Sequence, residues 1–159
     1  MRSLLAVMLI LPTFVFATIT PELAMKARLS TSDWDYIYQK VASGQEEWLS
    51  IVPALAPKVS KEQADQLEEA LATALPIKTK TVLLVLRKID RQKNSKIGGT
   101  DIVCVLKVVS SDKNADAYYA DTRLALLDDP YGAKCLWNLE GVWQEAKQYQ
   151  NYTGHAKAD

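Results

Sequence analysis

Two cysteines and one histidine are the residues of this sequence that most readily suggest chemistry. Cys104 and Cys135 are the only cysteines, and His155 is the only histidine. A catalytic cysteine with a histidine partner is one interpretation, but His155 lies in a polar segment close to the end of the chain. We favour a disulfide between Cys104 and Cys135, because an even cysteine count in an exported chain favours pairing. Closing a loop of about 30 residues would stabilise the fold by roughly 3–4 kcal/mol.

Other catalytic and metal-binding chemistries lack the residues they need. A zinc site requires several His, Cys or carboxylate ligands, and a Ser-His-Asp triad requires a rigidly held histidine. The glycine cluster Gly98-Gly99-Thr100 lacks the lysine and the spacing of a phosphate-binding loop. The sequence therefore predicts no catalytic residue, no metal and no cofactor. A glycan-cleaving enzyme stays open as an alternative, and it would need two convergent carboxylates roughly 5–10 Å apart.

The aromatic residues point towards binding. Both phenylalanines lie within residues 1–17, so every later aromatic side chain is a Tyr or Trp with a polar group. Three tryptophans, Trp34, Trp48 and Trp143, lie on apolar stripes and are predicted core residues. Tyr and Trp are enriched at protein interfaces. The aromatic residues with weaker core signals are Tyr118, Tyr119, Tyr131, Trp137, Tyr149 and Tyr152. A binding surface near the turn at 128–137, with Tyr131 and Trp137, is our hypothesis.

Residues 1–17 have the pattern of a secretory signal peptide. A short basic start precedes the apolar run at 4–11, and Val15 and Ala17 stand before a plausible cleavage at Thr18. A membrane anchor is the alternative, but the run is shorter than the roughly 20 residues of a spanning helix, and Pro12 interrupts it. We predict a periplasmic protein with no membrane insertion after cleavage.

Length and charge limit the function classes further. The 159 residues suit one domain, predicted over 18–150. The chain has 19 Lys and Arg against 19 Asp and Glu. Zero formal net charge argues against a nucleic-acid partner, because such proteins carry a basic surplus.

Helical signals dominate the first half of the predicted domain. One helix is expected after Thr31 and Ser32, and a short second helix is expected to break at Pro53 and Pro57. The clearest start is Ser60-Lys61-Glu62-Gln63, a capping-box pattern. The apolar runs at 81–86 and 101–109 are ambiguous. We prefer two buried helices there, and an α+β fold with a hairpin at 81–109 is the alternative.

The last third is also predicted to be helical. One apolar stripe consists of Ala117, Ala120, Leu124 and Leu127, and residues 128–132 form a turn. A final helix is expected to bury Cys135, Leu136, Leu139, Val142, Trp143 and Ala146. Residues 151–159 are predicted to be a flexible tail. The sequence thus predicts an all-α bundle of six or seven short antiparallel helices with one disulfide.

Two segments carry a resemblance to known proteins. Residues 41–55 contain Ser43-Gly44 followed by Trp48-Leu49, and residues 65–76 end in Ala74-Leu75-Pro76. This pattern, with a cysteine pair, resembles a group of small exported proteobacterial helical proteins. In size, export signal and helical character, the chain is similar to periplasmic immunity proteins that neutralise type VI secretion amidase effectors.

The resemblance implies a non-enzymatic inhibitor that occludes the active site of a secreted peptidoglycan amidase with a protruding loop. The candidate loops are 91–100 and 128–133, both close to the predicted disulfide. The alternatives are a structural or assembly module of the bacterial envelope, and a second copy of the chain as the partner. The candidate partner-binding residues are Lys93, Asn94, Ser95, Lys96, Asp128, Asp129, Tyr131 and Trp137.

Overall fold

The computed structural model describes residues 19–109 and 114–155, with side chains described as far as residue 149. Over these ranges the protein is all-helical and contains no strand, which confirms the all-α prediction and excludes a hairpin at 81–109. The predicted signal peptide lies outside the described residues. The helices are α1 (Pro21–Lys26), α2 (Thr31–Ala42), α3 (Glu46–Leu55), α4 (Lys61–Ala74), α5 (Thr79–Asp90), α6 (Gly99–Val103), α7 (Leu106–Val109), α8 (Ala115–Leu127) and α9 (Ala133–His155).

Two capping boxes fix the starts of α2 and α4. At α4 the Gln63 backbone N–H donates to Ser60 Oγ (3.2 Å), and the Ser60 N–H donates to Gln63 Oε1 (2.8 Å), as the sequence predicts. At α2 the same reciprocal pair joins Ser30 and Asp33. Each box satisfies N–H groups that a helix start would otherwise leave unpaired.

Helices α2 and α4 pack side by side in the same direction. Trp34 and Glu62 line one cavity together with Tyr38 and Gln66, and Ala42 and Ala70 line the next cavity along. The two members of each pair are 28 positions apart in the chain, so the helices run parallel. The main core lies beneath this pair and is completed by α3 and α5, whose apolar residues are largely buried.

Pro53 does not break α3, contrary to the prediction. The helix runs to Leu55 with Pro53 inside its last turn. A proline at this position removes one helix hydrogen bond and crowds the preceding turn, so contacts elsewhere in the protein must offset its cost. Pro53 is two residues from the helix end and buried, and its carbonyl accepts a hydrogen bond from Gln92 Nε2 at 2.8 Å. That tertiary bond ties α3 to the residues after α5.

The apolar run at 101–109 is helical but forms two short helices instead of one. Cys104 and Val105 separate α6 from α7, and Cys104 forms the predicted disulfide with Cys135 at the start of α9. The two Cα atoms are 5.4 Å apart, and both cysteines are fully buried. The disulfide therefore joins α9 to the break between α6 and α7.

Helices α8 and α9 form an antiparallel hairpin. Contacts recur about once per helical turn, and their residue numbers rise along α8 as they fall along α9. The pairs are Asp116–Lys147 (2.8 Å), Tyr119–Trp143 (stacked rings, 4.5 Å between centroids) and Arg123–Glu140 (2.7 Å). The Tyr118 hydroxyl donates to the Ala72 carbonyl at 2.9 Å and so connects this hairpin to α4.

The predicted apolar stripe of α8 faces solvent, and this prediction was wrong. Ala117 and Ala120 are exposed, and Leu124 and Leu127 are 63% and 52% exposed. The buried residues of α8 are Thr122 and Leu126, with Tyr118 and Tyr119 packed against the core.

The final helix matches its predicted face more closely. Cys135 and Leu139 are fully buried, and Leu136, Val142 and Trp143 pack partly buried against the core. The helix continues to His155, five residues into the predicted flexible tail, and residues 156–159 lie outside the described part.

Candidate functional site

The first candidate loop, residues 91–100, runs into α6 at Gly99, and one of its four predicted binding residues, Lys96, holds it against the body of the protein. Lys96 Nζ donates to the Val59 carbonyl at 2.8 Å, and Ser95 Oγ bonds with both backbone groups of Ile97. Lys93 and Asn94 are exposed and make no hydrogen bond or ion pair with any described residue. Only the tip of this loop is therefore available to a partner.

The second candidate loop is a tight turn between α8 and α9. Asp129 Oδ1 accepts a hydrogen bond from the Tyr131 N–H at 2.9 Å, and the Gly132 N–H donates to the Asp129 carbonyl at 2.9 Å. A Cβ at Gly132 would lie 2.1 Å from the Leu126 carbonyl oxygen, so only glycine fits there. The Asp128 carboxylate is exposed and has no hydrogen-bond or ion-pair partner among the described residues.

The structure brings the two predicted loops together at the end of α5. The Arg87 guanidinium lies 4.5 Å from the centre of the Tyr131 ring, a cation–π contact. Lys134 Nζ lies 3.6 Å from Asp90 Oδ2, and Ser95 and Lys134 line a common cavity of about 280 Å³. The end of α5 thus contacts both the turn and the first residues of α9.

Polar contacts with α6 also hold the start of α9. Lys134 Nζ and Asn138 Nδ2 lie 3.0 and 3.1 Å from Asp101 Oδ1. These hydrogen bonds lower the pKa of Asp101, and the bond to Asp101 raises the pKa of Lys134. Together with the disulfide, they fix the turn of α9 that presents Trp137.

Four large side chains are exposed around the turn end of the hairpin. Trp137 is 80% exposed and Tyr131 is 52% exposed, in addition to Leu124 and Leu127. The antiparallel register puts Leu124 and Leu127 level with the first turns of α9, which carry Trp137. We call these four exposed side chains, Leu124, Leu127, Tyr131 and Trp137, the hairpin face.

The hairpin face is suited to binding a partner. Trp and Tyr dominate the binding energy of many interfaces, and clustered exposed apolar groups mark interaction sites. Two exposed aspartates lie nearby, Asp121 on α8 and Asp128 directly after the last residue of α8. Neither carboxylate forms an ion pair or hydrogen bond with a described residue. A complementary partner would present an apolar surface with basic groups at its edge.

Sequence reasoning found two of the four residues of the hairpin face. Tyr131 and Trp137 were predicted, whereas Leu124 and Leu127 were recognised only as part of an apolar stripe. A signal for the correct assignment was present in Tyr118 and Tyr119, which follow one another on the opposite side of the same helix. Of the other predicted residues, Asp129, Ser95 and Lys96 shape the two loops through their own hydrogen bonds.

Neither a metal-binding cluster, nor a membrane-spanning helix, nor a known relative indicates a function for the described part of the chain. Among the described residues, no group of three or more His, Cys, Asp or Glu is placed to hold a metal ion. No helix in the described ranges is both long and apolar enough to cross a membrane. Comparison with protein-family models, with curated proteins and with solved structures finds no match to this chain.

Proposed function

We propose that this protein is a non-catalytic binding module of the bacterial periplasm and that its hairpin face docks a protein partner. The observation that carries the proposal is Trp137, which leaves 80% of its surface in water on a well-supported helix. Because the disulfide lies at Cys135 and Lys134 pairs with Asp101, the backbone that carries Trp137 loses little conformational freedom on binding. Preorganised aromatic anchors of this kind are typical of binding hot spots.

In its most specific form, the proposed partner is a secreted cell-wall amidase, and the protein acts as an immunity-type inhibitor. This form draws on the similarity of the chain in size, predicted export signal and helical character to periplasmic immunity proteins, and not on matched binding residues. The hairpin face supports it because Tyr131 and Trp137 stand at the turn end of a helical hairpin, where a protrusion can enter a cleft. Occlusion of an active site requires no catalytic residue in the inhibitor.

A pull-down with the full chain tests the proposal. The protein would be expressed in a proteobacterial host with its own N-terminal sequence and a C-terminal affinity tag, and kept oxidised. Proteins retained from periplasmic extract and culture supernatant would be identified by mass spectrometry. We expect a peptidoglycan hydrolase in stoichiometric amount. Its activity should fall to zero when the purified protein is added to the purified hydrolase at an equimolar ratio.

Matched variants link that result to the hairpin face. Trp137→Ala should weaken binding of the purified hydrolase by at least about 30-fold, the effect of a 2 kcal/mol hot spot. Tyr149→Ala, which truncates another exposed aromatic residue on α9, should leave the affinity unchanged. Equal affinity of the wild type and a folded Trp137→Ala variant would place the interface elsewhere. No stoichiometric partner in either extract would favour a structural role in the envelope.

A further inference from the structure

A second surface feature lies on α2 and α4, which contribute no residue to the hairpin face. A cavity of about 440 Å³ opens between the first turns of these parallel helices. Its lining combines aromatic, carboxylate, amide and hydroxyl side chains. The lining residues are Thr31, Trp34, Asp35, Tyr38, Ser60, Glu62, Gln63 and Gln66.

The aromatic part of the lining is a stacked pair. Trp34 and Tyr38 are one turn apart on α2, and their ring centroids are 5.7 Å apart. Both side chains are half-buried, so they are held by the core and still present part of their rings to solvent. Tyr38 and Gln66 also line a smaller cavity of about 200 Å³, so the groove continues along the two helices.

The polar part of the lining offers both acceptors and donors. Asp35 and Glu62 are exposed and make no ion pair or hydrogen bond with described residues. Gln63 uses Oε1 in its capping box, which leaves its amide N–H₂ group for a ligand, and Gln66 has no partner among the described residues. The Tyr38 hydroxyl is protonated at neutral pH and can donate; burial, with added effects of Asp35 and Glu62, raises its pKa further, to about 12.

This chemistry is unsuited to an anionic ligand. A bare cation would leave the amide and hydroxyl donors of the lining without a partner. The lining contains no Lys or Arg, and its carboxylates Asp35 and Glu62 would repel an anion. A cation would use the carboxylates and the rings but none of the amide and hydroxyl donors. A ligand with many hydroxyl groups and an apolar C–H face uses all of them, since each hydroxyl both donates and accepts.

We propose that the groove between α2 and α4 binds a short neutral oligosaccharide. Trp34 and Tyr38 would contact the C–H faces of sugar rings, while Asp35, Glu62 and Gln66 would bond to their hydroxyl groups. The site binds its glycan and does not cleave it, because glycosidases keep one carboxyl protonated in an apolar environment and both carboxylates here are exposed. This proposal does not depend on the hairpin face or on its partner.

Nuclear magnetic resonance titration of the full chain tests the site. The probes are chitotriose, cellotriose and maltotriose at millimolar concentrations, with spermidine as a cationic comparison. At least one saccharide should shift the Trp34 indole N–H and the Gln66 side-chain amide signals in a saturable manner. Signals of Trp137 should not move.

Variants provide a second readout. Gln66→Ala removes an exposed side chain with no internal partner, so it should fold normally and raise the Kd roughly three- to tenfold, as loss of one hydrogen bond does. Trp34→Ala should raise it more, and Gln144→Ala, an exposed glutamine on α9, should not change it. The proposal is overturned if spermidine alone shifts these signals, if no saccharide shifts them, or if folded Gln66→Ala and Trp34→Ala variants bind like the wild type.

Discussion

Helices α5 and α8 have almost the same length, but their apolar residues face opposite ways. In α5, the residues that repeat at helical spacing are buried, among them Val82, Leu86 and Ile89. In α8, the residues with that spacing, including Leu124 and Leu127, face solvent. The same apolar spacing therefore lies on the buried face of α5 and on the exposed face of α8.

The two helices differ in the residues that lie opposite the apolar stripe and could be buried in its place. In α5, the opposite side carries charged residues such as Lys80, Arg87 and Lys88, so only one face can be buried. In α8, the opposite side carries Tyr118 and Tyr119, which bury more area than alanines can. Tyr118 also bonds to the Ala72 carbonyl, and Tyr119 stacks on Trp143. Specific contacts of large residues thus outweigh a regular stripe of smaller ones.

The largest expected effect that tests this comparison is on stability. Leu86→Ala removes a fully buried side chain from α5 and should lower the free energy of unfolding by about 2–5 kcal/mol. Leu124→Ala should change it by less than about 0.5 kcal/mol, because Leu124 is 63% exposed. Urea unfolding followed by circular dichroism measures both. A loss above about 2 kcal/mol in Leu124→Ala would show that the apolar stripe of α8 is buried after all.

Much of the fold could be predicted because its signals are local. The Ser60–Gln63 capping box depends on residues within one helix and is confirmed, and the helix preferred over a strand for the apolar run at 81–86 is confirmed as well. The disulfide was predicted because only two cysteines are present. The continuation of α3 past Pro53 was not predicted, because it depends on a partner, Gln92, that is 39 residues away.

The candidate sites were less predictable because they depend on relations between helices. Trp137 was found from its residue type, but its neighbours Leu124 and Leu127 become a surface only through the register of α8 against α9. The groove between α2 and α4 was missed altogether. Trp34 and Tyr38 were assigned to an apolar stripe, and nothing in the sequence indicated that Glu62 and Gln66 would lie beside them, since that requires two parallel helices.

A smaller effect tests the buried tyrosine of α8. Tyr118→Phe removes the hydroxyl that bonds to the Ala72 carbonyl and should lower the free energy of unfolding by about 1 kcal/mol. Tyr119→Phe is the matched control, because the Tyr119 hydroxyl has no partner among the described residues, and its stability should not change. Urea unfolding of both variants gives the comparison. Equal stabilities would mean that ring burial alone selects the inward face of α8.

The smallest expected effect is a local loosening at low pH. It compares α5 with the start of α9, which are attached to the rest of the protein in different ways. Helix α5 is held mainly by apolar contacts, with polar contacts at its end from Arg87 and Asp90. The start of α9 is held partly by Asp101, whose pKa is lowered from 3.8 by hydrogen bonds from Lys134 and Asn138. A carboxylate with a lowered folded-state pKa stabilises the fold above its unfolded-state pKa. That contribution is lost as the pH falls through the lowered value.

Hydrogen exchange measured by nuclear magnetic resonance can follow this loss residue by residue. Amides near 133–139 should exchange faster, relative to those of α5, when the pH falls through the lowered pKa of Asp101. Asp101→Asn should remove most of this difference, because its amide does not titrate. An unchanged acid response in Asp101→Asn would show that Asp101 is not the group responsible for it. If the wild type itself shows no acid response, the disulfide and the apolar contacts are enough to hold the start of α9, and the hairpin face keeps its geometry in acid.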